Sequence, residues 1–113
     1  MDYKRGDICL VDFNPAKGGE MGKLRPAILM SAEEEIRILH TVIVIPLSTV
    51  IEADALPYRY TIMARDALRH DSDACIYEIR ALSKQRIKGK LSRIDEEELA
   101  TIQHALCTIL AAG

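Results

Sequence analysis

Tryptophan is absent from this 113-residue chain, phenylalanine occurs once and aromatics are 4% of residues, too few for a stacking platform that grips single-stranded nucleic acid by its bases alone. Cys9, Cys75 and Cys107 are odd in number and widely spaced, with no Cys-x-x-Cys pair, which argues against zinc and disulfide frameworks and for reduced, buried thiols. The longest apolar run, residues 42–47, is too short to span a bilayer. Met1 to Arg5 has no apolar stretch behind it, so no secretory signal is expected and a cytoplasmic setting follows. Charge is nearly balanced at −2, so any polyanion must be held by a local patch and not by a global field. GxSxG, P-loop and dinucleotide fingerprints are all missing, and His40, His70 and His104 show no metal-ligand spacing; neither cofactor nor metal is expected.

What is present is ordinary globular chemistry, 49% hydrophobic and 28% charged, in a length that suits one domain over 1–113. Extended segments are predicted over 7–13, 26–31, 41–45, 58–63 and 74–80, with a further strand near 85–91. The segment 41–45 is continuously apolar and rich in β-branched residues, which predicts burial on both faces and an end at Pro46, a residue that cannot donate to a ladder. Residues 64–69 offer a short helical turn at best, and 33–37 a turn or a solvated loop. The end of the chain is clearer: Leu99, Ile102, Leu106 and Ile109 form one helical stripe, and Asp95 with Glu98 makes a capping box at its start. Short strands followed by one helix predict a mainly β fold with helices, a small antiparallel barrel or sandwich.

Three stretches can carry chemistry. About a dozen residues, including Lys17, Gly18, Gly19, Glu20 and Lys23, join the first two strands where hairpins normally take about two to five, so the loop is either functional or a tolerated insertion. Arg25 follows it. Pro26 forces Arg25 into extended geometry, which sets a planar guanidinium on a stiff base, either to grip a phosphate or to pair with Asp12 or Glu20. Ser48 and Thr49 follow the apolar strand and present hydroxyls that can serve a site or close a turn. Arg80, Lys84, Arg86, Lys88, Lys90 and Arg93 have no acid between them, and make either a polyanion patch or a solvated strand edge. The run His70-Asp71-Ser72-Asp73 reads as a polar turn more readily than as a cation site.

Residues 6–20 (GDICLVDFNPAKGGE) and 23–27 (KLRPA) resemble the N-terminal signature of the MazF/PemK toxin family. Residues 41–49 (TVIVIPLST) resemble its second motif, and 78–86 (EIRALSKQR) with 89–91 (GKL) its third. The resemblance implies an SH3-like antiparallel β-barrel with a C-terminal α-helix, forming a homodimer. It implies a metal-independent, sequence-selective endoribonuclease that cleaves single-stranded RNA and is restrained by a cognate antitoxin carrying an acidic disordered segment. It places Arg25 and Ser48 in the active site, with Glu20 as a contributing acid and Arg80 near the RNA. Lys17, Gly18, Gly19, Lys23, Thr49, Tyr77, Glu78, Lys84 and Arg86 then become RNA-binding candidates. Two positions depart from the family pattern: threonine is usual where Ser48 stands, and an acid followed by glutamine where Tyr77 and Glu78 stand. Two other functions fit the same barrel, a topoisomerase poison of the related CcdB type and a non-catalytic partner-binding relative.

Overall fold

The computed structural model describes residues 2–13 and 23–113. Seven strands, β1 (Asp7–Asp12), β2 (Leu24–Leu29), β3 (Thr41–Ser48), β4 (Arg59–Ile62), β5 (Ser72–Cys75), β6 (Arg80–Ser83) and β7 (Ile87–Arg93), are joined by two α-helices, α1 (Glu33–Ile38) and α2 (Glu96–Ile109). Every strand pairing is antiparallel, and neighbours run β4-β5-β3-β2-β1-β7, with β6 also on β3.

Side chains alternate between the two faces of β1, β2 and β3, and each face buries its own cluster. On one face Ile8, Ile28, Ile45 and Leu47 pack beneath Ile102 and Ala105 of α2. All four residues of the expected helical stripe face this cluster, and α2 opens with the expected capping box, Asp95 accepting from Glu98 N–H while Glu98 accepts from Asp95 N–H. On the other face Cys9, Val11, Ala27, Leu29, Val42 and Val44 meet Ile36 of α1. The edge strands β6 and β7 add Leu82 and Ile87 to this same cluster, so the sheet curls around it as a barrel. No ladder joins β6 to β7 among the described residues; a 3₁₀ turn, Lys84–Arg86, spans that seam. The expected SH3-like barrel is therefore present, closed at one seam by packing and not by hydrogen bonds. No helix of the described residues is long and apolar enough to cross a membrane.

Several local expectations change. β3 does not stop at Pro46 but runs on to Ser48. On its outer edge, pairing passes from Val44↔Arg80 to Leu47↔Ala74, so the proline falls in the gap between two partners, where a missing N–H breaks no ladder. β3 is also not buried throughout, since Thr41 and Ile43 are exposed. The single strand expected over 74–80 is two strands, β5 and β6, separated by a 3₁₀ turn at Ile76–Glu78. Residues 64–69 are not helical: an isolated Arg65↔Leu68 bridge closes a turn around Asp66 at φ 49°. Residues 33–37 do fold, as the short helix α1, held by the one buried residue Ile36. Cys9 and Cys75 are buried free thiols, and Cys107 is half-buried. Burial foremost, with the nearby Asp7 carboxylate, pushes the Cys9 thiol up to about 12, so it stays protonated and unreactive at neutral pH.

Candidate active site

Antiparallel register decides which side chains share an end of the barrel. β1 finishes where β2 and β7 begin, because each neighbour runs the opposite way, while β6 begins opposite Val44 in the middle of β3. Directly paired residues point to the same face. Val11 pairs with Arg25, and Ala27 with Pro46; carrying that register two residues past the last bonded pair sets Arg25 across from Ser48. Val44 pairs with Arg80, and Phe13 lies two residues beyond Val11 and packs on the same cluster. The apolar interior thus ends, at one mouth, in Phe13, Arg25, Ser48 and Arg80.

Arg25 is half-buried, and its side chain makes no hydrogen bond or ion pair among the described residues. An ion pair with Asp12 is disfavoured by the pleat, because Asp12 pairs with Leu24 and points to the opposite face from Arg25. A part-desolvated guanidinium without a partner presents five N–H donors in a planar fork, a match for phosphate oxygens. Ser48 is half-buried at the end of β3, and its Oγ accepts from Val50 N–H at 3.1 Å. With that lone pair occupied, the hydroxyl proton is directed elsewhere, available to an anionic oxygen. Arg80 is exposed, and its guanidinium carbon lies 5.4 Å from the centre of the Phe13 ring, a cation–π contact that fixes the cation at the mouth.

The other candidates separate by position. Lys23 and Thr49 are exposed beside Arg25 and Ser48. Tyr77 and Glu78 are exposed on the 3₁₀ turn before β6, and Tyr77 meets Tyr58 edge-on with ring centres 6.1 Å apart. The basic run disperses. Arg86 stays near the mouth, donating to the carbonyl of Asp12 at 3.1 Å. Lys84 does not: it lies beside His40, donates to the Ile36 carbonyl of α1, and sits at the far end of β3, roughly 20 Å from Ser48. Lys90 pairs with buried Asp7 at 3.3 Å. Lys17, Gly18, Gly19 and Glu20 lie outside the described residues. Sequence reasoning missed Phe13, which was assigned only to a strand, and also Asp73, read as part of a polar turn but here fully buried. No group of three or more potential metal ligands occurs among the described residues.

The family model for the PemK-like, MazF-like toxin of type II toxin–antitoxin systems matches residues 4–110. The chain belongs to that family. It is 32% identical over 112 residues to the endoribonuclease EndoA of Bacillus subtilis (strain 168), covering 98% of this chain and 97% of that one. To the endoribonuclease MazF of Staphylococcus epidermidis it is 31% identical over 104 residues, covering 91% and 87%. A crystal structure of MazE–MazF (Form-III) from Deinococcus radiodurans superposes with a TM-score of 0.81 at 18% identity over 100% of both chains, which shows the shared fold.

Proposed function

We propose that this chain is the toxin of a type II toxin–antitoxin system, an endoribonuclease that cleaves single-stranded RNA at the barrel mouth with Arg25 and Ser48. The half-buried Arg25, whose side chain has no partner among the described residues and which the continued β2–β3 register sets across from Ser48, carries this reading. RNA brings its own nucleophile, the 2′-hydroxyl, so the protein needs a base for that proton, a cation for the phosphorane and a donor for the departing 5′-oxygen. Arg25 binds the equatorial oxygens as charge builds on them and supplies the proton to the 5′-oxygen. Ser48 donates a hydrogen bond that orients the phosphate. Glu20, which precedes β2 in the sequence, takes the 2′-hydroxyl proton. The 2′-oxygen bonds to phosphorus, the phosphorus–5′-oxygen bond breaks, and the products are a 2′,3′-cyclic phosphate and a 5′-hydroxyl. Each role is filled by a side chain, so the reaction is metal-independent.

Arg80, steadied by Phe13, and Arg86 hold flanking phosphates, together with Lys17 and Lys23. Thr49, Tyr77 and Glu78 meet the nucleotides beside the cut, with Gly18 and Gly19 letting backbone approach. Two copies pair so that their basic mouths form one groove. The cognate antitoxin fills it with an acidic disordered segment that mimics the RNA backbone. A structural neighbour of this chain, an endoribonuclease from a Mycobacterial species, is in complex with its cognate antitoxin. Incubating the purified protein with a long RNA in EDTA tests the enzyme. Cleavage that Arg25→Ala abolishes supports it, whereas cleavage that requires a divalent metal refutes the mechanism.

A further inference from the structure

Asp73 is fully buried, and it stands directly opposite Ser48 as the last pair of the β3–β5 ladder. Its carboxylate is held from three sides. Oδ1 accepts from Thr61 Oγ at 2.6 Å, Oδ2 accepts from the Glu52 N–H at 2.8 Å, and Arg59 Nε lies 3.6 Å from Oδ2. Arg59 also donates to Cys75 Sγ at 3.1 Å and pairs with the Glu52 carboxylate at 2.5 Å. Removing a carboxylate from water costs several kcal/mol unless such donors replace its hydration, so an apolar residue would pack this strand at lower cost. The arrangement holds something in place.

What it holds is the turn after Ser48. Residues 49–54 are all exposed, so no apolar burial fixes them. The turn is pinned at three points: Val50 N–H on Ser48 Oγ, Glu52 N–H on Asp73, and the largely exposed Glu52 carboxylate on Arg59. Without the buried Asp73 contact, the turn is tethered only by the Ser48 hydroxyl and by the exposed Glu52–Arg59 pair, which water screens. Local segments with few buried contacts open readily, and a hydroxyl carried on such a segment samples many orientations.

We propose that Asp73 is a positioning residue for catalysis, which anchors the 49–52 turn and thereby fixes the direction of the Ser48 hydroxyl. The inference rests on the proposed role of Ser48. Asp73 touches no RNA; it acts through Glu52 N–H and Val50 N–H on one oxygen. Substrate affinity, set by the arginines and lysines of the mouth, is therefore largely independent of it.

Steady-state cleavage of a short RNA carrying one cut site separates these roles. Asp73→Asn keeps the volume but loses the charge that faces Arg59 and leaves one acceptor where the Glu52 N–H and Thr61 had two, so the anchor weakens and kcat falls about tenfold to a hundredfold with KM within about twofold. Thr61→Val removes the other bond to Asp73 and lowers stability, while kcat stays within about twofold. In a Ser48→Ala background, Asp73→Asn then adds little, because both act on the same hydroxyl. Glu52→Pro deletes the same N–H from the exposed side of the turn, and, measured against Glu52→Ala, which removes only the pair with Arg59, gives the same kcat loss if Asp73→Asn does not fold. An unchanged kcat in Asp73→Asn, or effects of Asp73→Asn and Ser48→Ala that multiply independently, would overturn the inference. A kcat loss in Thr61→Val equal to that of Asp73→Asn would do the same. Wild-type cleavage by Ser48→Ala would instead remove the reading of Ser48, and this inference with it.

Discussion

Replacing Glu98 with glutamine isolates the ion pair that fastens α2 to the barrel. Glu98 receives Arg65 Nη1 on one oxygen at 2.6 Å and Arg65 Nη2 on the other at 2.7 Å, a bidentate pair with both side chains mostly buried. The first oxygen also accepts the Asp95 N–H at 2.9 Å in the capping box. Glutamine keeps that oxygen, and is itself a capping-box residue, but turns an N–H₂ toward Arg65 where the second oxygen was. The loss is one charge-assisted hydrogen bond and the charge behind it, about 1.5–3 kcal/mol. At roughly 4 °C per kcal/mol for a chain of this size, Tm should fall by about 6–12 °C. Glu98→Ala also loses the cap and should cost about 1 kcal/mol more.

The sign with pH is fixed by the same contacts. The hydrogen bonds from Arg65 foremost, helped by the Asp95 N–H and opposed by burial, hold the Glu98 carboxyl below its ordinary value of 4.5. Its stabilisation is therefore complete above that value and lost as pH falls through the depressed one. Urea unfolding of both proteins from pH 7 down to pH 3 should show a gap that is level at neutral pH and narrows in acid. RNA cleavage at 25 °C should not change, because the pair lies at the end of the barrel away from Arg25. A glutamine variant as stable as the parent at pH 7, or a gap that persists unchanged at pH 3, would refute the reasoning.

Phe13→Leu keeps the apolar contact but removes the ring under Arg80, worth about 0.5–1 kcal/mol; RNA should bind about two- to fivefold more weakly by fluorescence anisotropy, with unfolding barely altered. Alkylation followed by mass spectrometry should mark Cys107 first and leave Cys9 untouched at pH 8 unless the chain is unfolded, since Cys9 is fully buried and its thiol lies near 12.

Local chemistry was legible in the sequence where it is decided locally. The Asp95–Glu98 box and the stripe from Leu99 to Ile109 lie within one helix, and each appears in the structure as read. Arg25 could be singled out because Pro26 constrains it directly. Its neighbours could not: Ser48 is set across from Arg25 only through the β2–β3 register, and Arg80, which starts β6 opposite Val44, reaches the mouth only through its side chain over the Phe13 ring. The apolar pattern from Ala74 to Ile79 hides the break between β5 and β6, because β3 changes partner at that point and both partners bury apolar residues. Lys84 and Arg86 are two residues apart in sequence, yet on the turn that spans the barrel seam Lys84 reaches the Ile36 carbonyl of α1 and Arg86 the Asp12 carbonyl at the end of β1. Asp73 looked like any turn aspartate, and nothing in its flanking residues signals that three donors converge on it.

The measurement closest to the central claim is the rate and end chemistry of RNA cleavage in EDTA by the wild-type protein and by Arg25→Ala. Loss of one preorganised donor to the phosphorane should slow the reaction by at least about a hundredfold, with the fold unchanged by circular dichroism. Wild-type fragments should carry a 2′,3′-cyclic phosphate on one side of the cut and a 5′-hydroxyl on the other. Fragments bearing 5′-phosphates, or an Arg25→Ala protein that cuts at the parental rate, would contradict the account.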